Sequence, residues 1–120
     1  MKIKILFATF GLLSQANIFA QSEATESADS EFKKADTELN QIYTEVLGRM
    51  PNKVTKAKFV ESEKAWLNYR DSDAALFAGV TSHGGSAYSM DLLGNLTEIT
   101  KQRIQELKRL SKLLRPRHFQ

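Results

Sequence analysis

Apolar residues recur at intervals of three and four along three separate stretches of this 120-residue chain, and that spacing commits most of it to helix. The first stretch carries Phe32, Ala35, Leu39, Ile42, Tyr43, Val46 and Leu47 and predicts a helix over about 30–49. Met50, Pro51 and Asn52 close it, because the residue before a proline is pushed out of helical angles. The second stretch carries Val54, Ala57, Phe59, Val60, Trp66, Leu67, Ala74 and Phe77, a helix over about 53–77 with Gly79 as its expected terminator. His83-Gly84-Gly85 is the strongest turn signal, and Ser86 after it is a good helix cap. A third stripe runs through Leu92, Leu93, Leu96, Ile99, Arg103, Leu107, Leu110 and Leu114 to Pro116, with Gly94-Asn95 as a weak spot or a point of close contact. No alternating pattern calls for a strand. Three long amphipathic helices with short connections predict an all-α, up-down-up bundle of antiparallel neighbours, elongated because each helix of about 20 residues spans roughly 30 Å.

The segment before the first stripe has a different build. Lys2 and Lys4 precede an apolar run from Ile5 to Leu13, followed by polar Ser14, Gln15 and Asn17 and a plausible cleavage point after Ala20. That is the layout of a secretory signal peptide at 1–20. An uncleaved membrane anchor is the competing reading, but the apolar run is shorter than the roughly 20 residues a spanning helix needs. The expected organisation is therefore a signal peptide at 1–20, a flexible polar start at 21–29, a helical domain at 30–115 and a tail at 116–120. Periplasm or secretion is the expected destination.

Loss of the signal takes the formal charge from +3 to +1, so the basic character of the precursor belongs mostly to the signal. Charge remains unevenly spread. Residues 21–50 hold seven acids against Lys33, Lys34 and Arg49, whereas residues 101–120 hold seven bases against Glu106. Such a dipole argues for the two ends attracting each other or for separate partners, and gives little support to nucleic-acid binding. The basic end, including Lys108, Arg109 and Lys112, reads either as a surface for anionic lipid or wall polymer or as a solvated face well placed at a helix C-terminus. The chain has no cysteine. Small exported domains commonly use disulfides, so helix packing alone must hold this one.

Several polar side chains fall where the period predicts burial. Asp36, Asn40 and Tyr43 share one side of the first helix; Glu63, Trp66 and Arg70, with Asp71 beside them, share one side of the second; Thr100 and Arg103 sit in the third stripe. Inward arginines need carboxylates, and Asp36, Glu63 and Asp71 are at hand. Two readings follow: an interhelical network that fixes register, or a recognition or catalytic cluster. The enzyme reading lacks parts. There is no cysteine nucleophile, His83 and His118 do not have metal-ligand spacing, no cofactor motif is present, and Ser82, His83 and Ser86 lack an orienting acid and an oxyanion hole.

The order of these residues resembles a known family. Ala35-Asp36-Thr37-Glu38-Leu39-Asn40-Gln41-Ile42-Tyr43 is similar to the "AD-x-x-LN-x-x-Y" opening of the lysozyme-inhibitor LprI-like N-terminal domain family. Glu63-Lys64-Ala65-Trp66 with Tyr69-Arg70-Asp71 resembles its "Q-x-x-W-x-x-(Y/F)-R-D" segment, Gly84-Gly85-Ser86 its glycine turn, and Thr100-Lys101-Gln102-Arg103 with Leu107 its closing "T-x-x-R-x-x-x-L". Two departures stand out: Ala74 and Asn95 occupy the places of family cysteines, consistent with loss of one whole disulfide, and Glu63 replaces the usual glutamine. The resemblance implies an exported all-α domain whose named member inhibits lysozyme. It leads to a periplasmic protein-binding module, with lysozyme or another wall-attacking hydrolase as a candidate target. Ser82, His83, Gly84, Gly85, Ser86 and Tyr88 form the candidate binding loop, whose alternative reading is a simple helix connection. The competing function is a structural or assembly protein of the envelope that docks to a partner or forms a homodimer through exposed helix sides.

Overall fold

The computed structural model describes residues 18–114 and Pro116. Within it the chain forms three helices, α1 (Ile18–Gly48), α2 (Lys53–Ser82) and α3 (Tyr88–Leu113), arranged as an all-α rod of 66 × 24 × 24 Å. The body of the expected signal peptide lies outside the described residues. Among those described, no helix is long and apolar enough to cross a membrane.

Helix α1 begins well before residue 30, so the polar stretch 21–29, expected to be flexible, is helical. No glycine or proline falls between Gly11 and Gly48, and nothing in the sequence stops the helix from extending backwards. Ion pairs one turn apart support it, Asp29 with Lys33 at 2.7 Å and Glu31 with Lys34 at 3.6 Å. The Met50-Pro51-Asn52 break holds as expected, and Asn52 caps α2 by accepting the Thr55 N–H at 2.8 Å.

Helix α2 runs through Gly79, an exposed residue of its last turn, and does not end there. Buried Ala78 is packed against Leu92, and that contact outweighs the roughly 1 kcal/mol that a helical glycine costs. The stop lies four residues later, where His83 and Gly84 both turn left-handed (φ 49° and 72°). Ser86 is not a cap either. The Tyr88 N–H is accepted by Gly85 O at 3.1 Å and the Asp91 N–H by Ala87 O at 2.9 Å, so the turn winds directly into α3 with its boundary at Ala87. Gly94-Asn95 leaves α3 unbroken, and a methyl group on Gly94 would touch nothing within 4 Å, which removes the close-contact reading.

The core has two apolar ends. At one, Leu39, Tyr43 and Val46 of α1 meet Phe59 of α2 and Ile104 and Leu107 of α3. At the other, Ala74 and Ala78 of α2 meet Leu92 of α3, with Tyr88, Leu96 and Ile99 against them. These pairings make α1 and α3 parallel and α2 antiparallel to both, the up-down-up order. The closest packing is not between consecutive α1 and α2. Helix α3 lies along both of them, while α1 and α2 approach far less closely. Large side chains fill the space between those two, among them the Tyr43 and Phe59 rings, stacked with centroids 4.9 Å apart.

The apolar stripe read for α2 is only half right. Phe59 and Ala74 are buried, but Val54 and Phe77 are exposed, and the line that enters the core is Phe59, Glu63, Arg70, Ala74 and Ala78. In α3 the buried set includes Thr97, Ile104 and Ser111, outside the leucine stripe, because this helix faces two neighbours.

Candidate functional site

Between the two apolar ends lies a layer of charge. Glu63 and Arg70 are each 1 % exposed and Thr100 is fully buried. Their helical phase forces them inward, and the two arginines divide the available carboxylates. Arg103 reaches across from α3 to Glu63, with Nη2 and Nε at 2.8 and 3.1 Å from Oε2, and its Nη1 holds Glu106 at 2.9 Å. Arg70 holds the exposed Asp71 through Nη2 and Nε at 2.8 and 2.9 Å, and its Nη1 lies 3.9 Å from Asp36 Oδ1.

Aromatic rings join the two halves. The Arg70 guanidinium lies over Phe32 and over Trp66, 5.4 Å from each ring centre, and Arg103 covers Trp66 at 5.6 Å. Phe32, Arg70, Trp66 and Arg103 thus form a ladder of alternating rings and cations. Phe32 is the member that motif reading missed. It sits one turn before Asp36 on the same helix face, where the apolar period places it in the α1 stripe but gives no sign that it meets a cation. Asn40 is half-buried on that side, and its backbone carbonyl accepts the Thr44 hydroxyl at 2.8 Å.

Burial dominates the electrostatics. It pushes the Glu63 carboxyl above its ordinary range even though the hydrogen bonds and charge of Arg103 pull it down. Burial likewise raises Asp36 against the pull of Arg70, with Asp71 adding a smaller push upward. The Tyr43 phenol is raised by burial and then by the Glu63 charge. Three atoms of this layer, Asp36 Oδ1, Arg70 Nη1 and Thr100 Oγ1, have no protein hydrogen-bond partner. Chemically the layer can orient helices. Glu63 and Arg70 are closed to any solute of substrate size.

The second group of sequence-singled residues gathers at the opposite end of α2 from its Asn52 cap. Ser82 Oγ donates to Ala78 O at 2.6 Å and accepts the Gly84 N–H at 3.2 Å, and the Gly85 N–H returns to Ser82 O at 2.9 Å. A methyl on Gly85 would stand 3.1 Å from that same oxygen. The result is a tight turn with His83, Gly84, Gly85 and Ser86 exposed at its tip and Tyr88 half-buried at its base. Ser82 is committed to its own helix and cannot pair with His83 as a nucleophile. Thr81 and Asp91, joined at 2.7 Å, brace α2 to α3 behind the turn. Among the described residues no group of three or more His, Cys, Asp or Glu side chains is placed to hold a metal ion.

The family model described as "Lysozyme inhibitor LprI" matches residues 14–107, the greater part of the chain. An uncharacterised protein of Rhizobium meliloti (strain 1021) is 31% identical over 103 residues, covering 76% of this chain and 73% of the relative. No solved structure matches.

Proposed function

The chain belongs to the lysozyme inhibitor LprI family, and from that premise we propose that it is an exported protein-binding module of the cell envelope, not an enzyme, with a lysozyme or related wall hydrolase as its target. The carrying observation is that the family match runs through all three helices, including the polar layer and the turn at the far end. In this reading the Glu63, Arg70 and Arg103 layer sets helix register, and the turn at 82–88 makes contact. An inhibitor must bring hydrogen-bonding groups to the carboxylates of a sugar cleft. The turn offers exposed His83 and Ser86 beside two glycines that allow close backbone approach, and its internal hydrogen bonds mean little ordering entropy is lost on binding.

The test is binding of the purified protein to a panel of lysozymes by calorimetry, with lysis of a cell-wall suspension as the activity readout. The expected result is binding to at least one, weakened when residues 83–87 are exchanged for a neutral linker of equal length. Absence of binding and inhibition across the panel rejects the target class. The envelope-assembly alternative, by docking or as a homodimer, draws on the exposed apolar side chains of α2. Sedimentation equilibrium tests it, and a strictly monomeric protein rejects the dimer.

A further inference from the structure

Helix α2 turns a second apolar line outward. Leu76 and Val80 stand seven and eleven residues beyond Tyr69, so the three share one line, and Phe77 sits beside it. Their exposures are 57%, 62%, 64% and 53%. Large apolar groups gathered on one stripe mark an interaction surface more often than scattered ones do. Asp73 lies in the same line, half-buried and accepting the Tyr69 hydroxyl at 3.5 Å.

The charge around the stripe is mostly acidic: α1, which meets Arg70 through Phe32 and Asp36, brings Glu23, Glu26, Asp29, Glu31 and Asp36 to this side against Lys33 and Lys34, each already paired with an acid of its own helix. From residue 65 to residue 100 the sequence contains a single Lys or Arg, which is Arg70, and that side chain is buried. The acids over the same span are Asp71, Asp73, Asp91 and Glu98. Every Lys and Arg of α3 falls in its second half, from Lys101 onward, away from this end. The exposed face therefore combines apolar side chains with an acidic setting. We infer that it receives a cationic amphipathic protein segment, one that places apolar side chains on Leu76, Phe77 and Val80 and a lysine or arginine against Asp73.

Two other occupants fit worse. In a two-fold pairing of the stripe with a second copy, each Asp73 would oppose the Leu76 of the other chain, sealing two carboxylates into an apolar contact with no cation near. An anionic lipid surface would meet like charge. The inference rests on the protein-binding reading above but names a different surface from the turn.

The experiment uses two synthetic helical peptides of equal length, one of leucine and lysine and one of leucine and glutamate, titrated calorimetrically into the purified protein. The leucine-lysine peptide is expected to bind and the leucine-glutamate peptide not to. Leu76→Ser and Val80→Ser should each weaken binding about tenfold, since each removes one buried aliphatic contact, and Asp73→Asn should weaken it several-fold. Melting temperature checks that the exposed substitutions leave the fold intact. Failure of the leucine-lysine peptide to bind, equal binding of both peptides, or no loss in the variants overturns the inference. So does self-association that the same substitutions abolish. A protein that binds no lysozyme but passes the peptide test loses the target and keeps this surface. One that binds lysozyme but fails the peptide test keeps the target and loses the surface.

Discussion

Replacing Arg70 by methionine tests the charged layer directly, because methionine keeps most of the unbranched stem and removes only the guanidinium. Three kinds of interaction go with it. The pair with Asp71 contributes little, since that carboxylate is 60% exposed and its loss is worth under about 1 kcal/mol. The two ring contacts, with Phe32 and Trp66 in a site closed to water, are worth on the order of 1 kcal/mol each. The third is Asp36, only 14% exposed in its side chain and left with no cation. Breaking a buried pair in this way typically costs about 3–5 kcal/mol. The contributions overlap, so they do not add, and Asp36 can escape part of the penalty by taking a proton. The expected loss is therefore about 3 kcal/mol at neutral pH. At roughly 4–8 °C per kcal/mol for a domain of this size, the melting temperature should fall by about 12–24 °C. Urea unfolding followed by helical circular dichroism gives the free energy directly.

The companion variant, Asp36→Leu with Arg70→Met, removes the stranded charge and should recover most of the loss. The pH dependence has a definite sign. Without Arg70 the Asp36 carboxyl rises further above its ordinary value of 3.8. A carboxyl raised in the folded state contributes stability that is present below its unfolded pKa and lost as pH climbs through the folded one. The deficit of Arg70→Met should thus be smaller near pH 4 than at pH 7. A single variant within about 1 kcal/mol of the parent, or a double variant no better than the single, refutes the account of a coupled buried layer.

Glu63→Gln restores the residue usual in the family pattern and removes a carboxyl that burial has raised above its ordinary 4.5. The stability of the parent relative to this variant should fall as pH rises from about 4.5 to 7, and a rise over that window in parallel urea titrations contradicts the burial argument. Thr100→Val exchanges a fully buried hydroxyl with no protein partner for a methyl of the same shape, and should raise stability by up to about 1 kcal/mol; a loss of similar size by thermal melting would reveal a hydrogen bond there. Gly84→Ala meets no atom within 4 Å yet must hold φ near 72°, so it should destabilise by about 1–2 kcal/mol through backbone strain alone. An unchanged melting temperature would mean the turn relaxes into another conformation.

Helix content and order were legible in the amino-acid string because apolar spacing and the Met50-Pro51-Asn52 break are local properties. The stripe of α1 was read almost whole, since Phe32, Ala35, Leu39, Tyr43 and Val46 are all buried. Ends were read less well. Gly79 looks like a stop and Ser86 like a cap when neighbours are ignored, but the packing of Ala78 carries α2 past the first, and the turn at Gly85 starts α3 without the second. In the same way Val54 and Phe77 were read into the α2 stripe as apolar residues of the run, while Glu63 and Arg70 take the buried positions.

The primary structure by itself determined three long helices, their reversal at two turns, a core without sulfur bridges and the inward phase of Glu63, Arg70 and Thr100. Only the tertiary structure decided which acid serves which arginine, that α3 and not α2 is the helix both others lean on, and that Leu76, Phe77 and Val80 are left facing solvent. The division has a physical cause. Helical periodicity depends on neighbours three and four residues away, whereas charge pairing and burial depend on residues some forty positions apart, such as Glu63 and Arg103, whose meeting no local rule encodes.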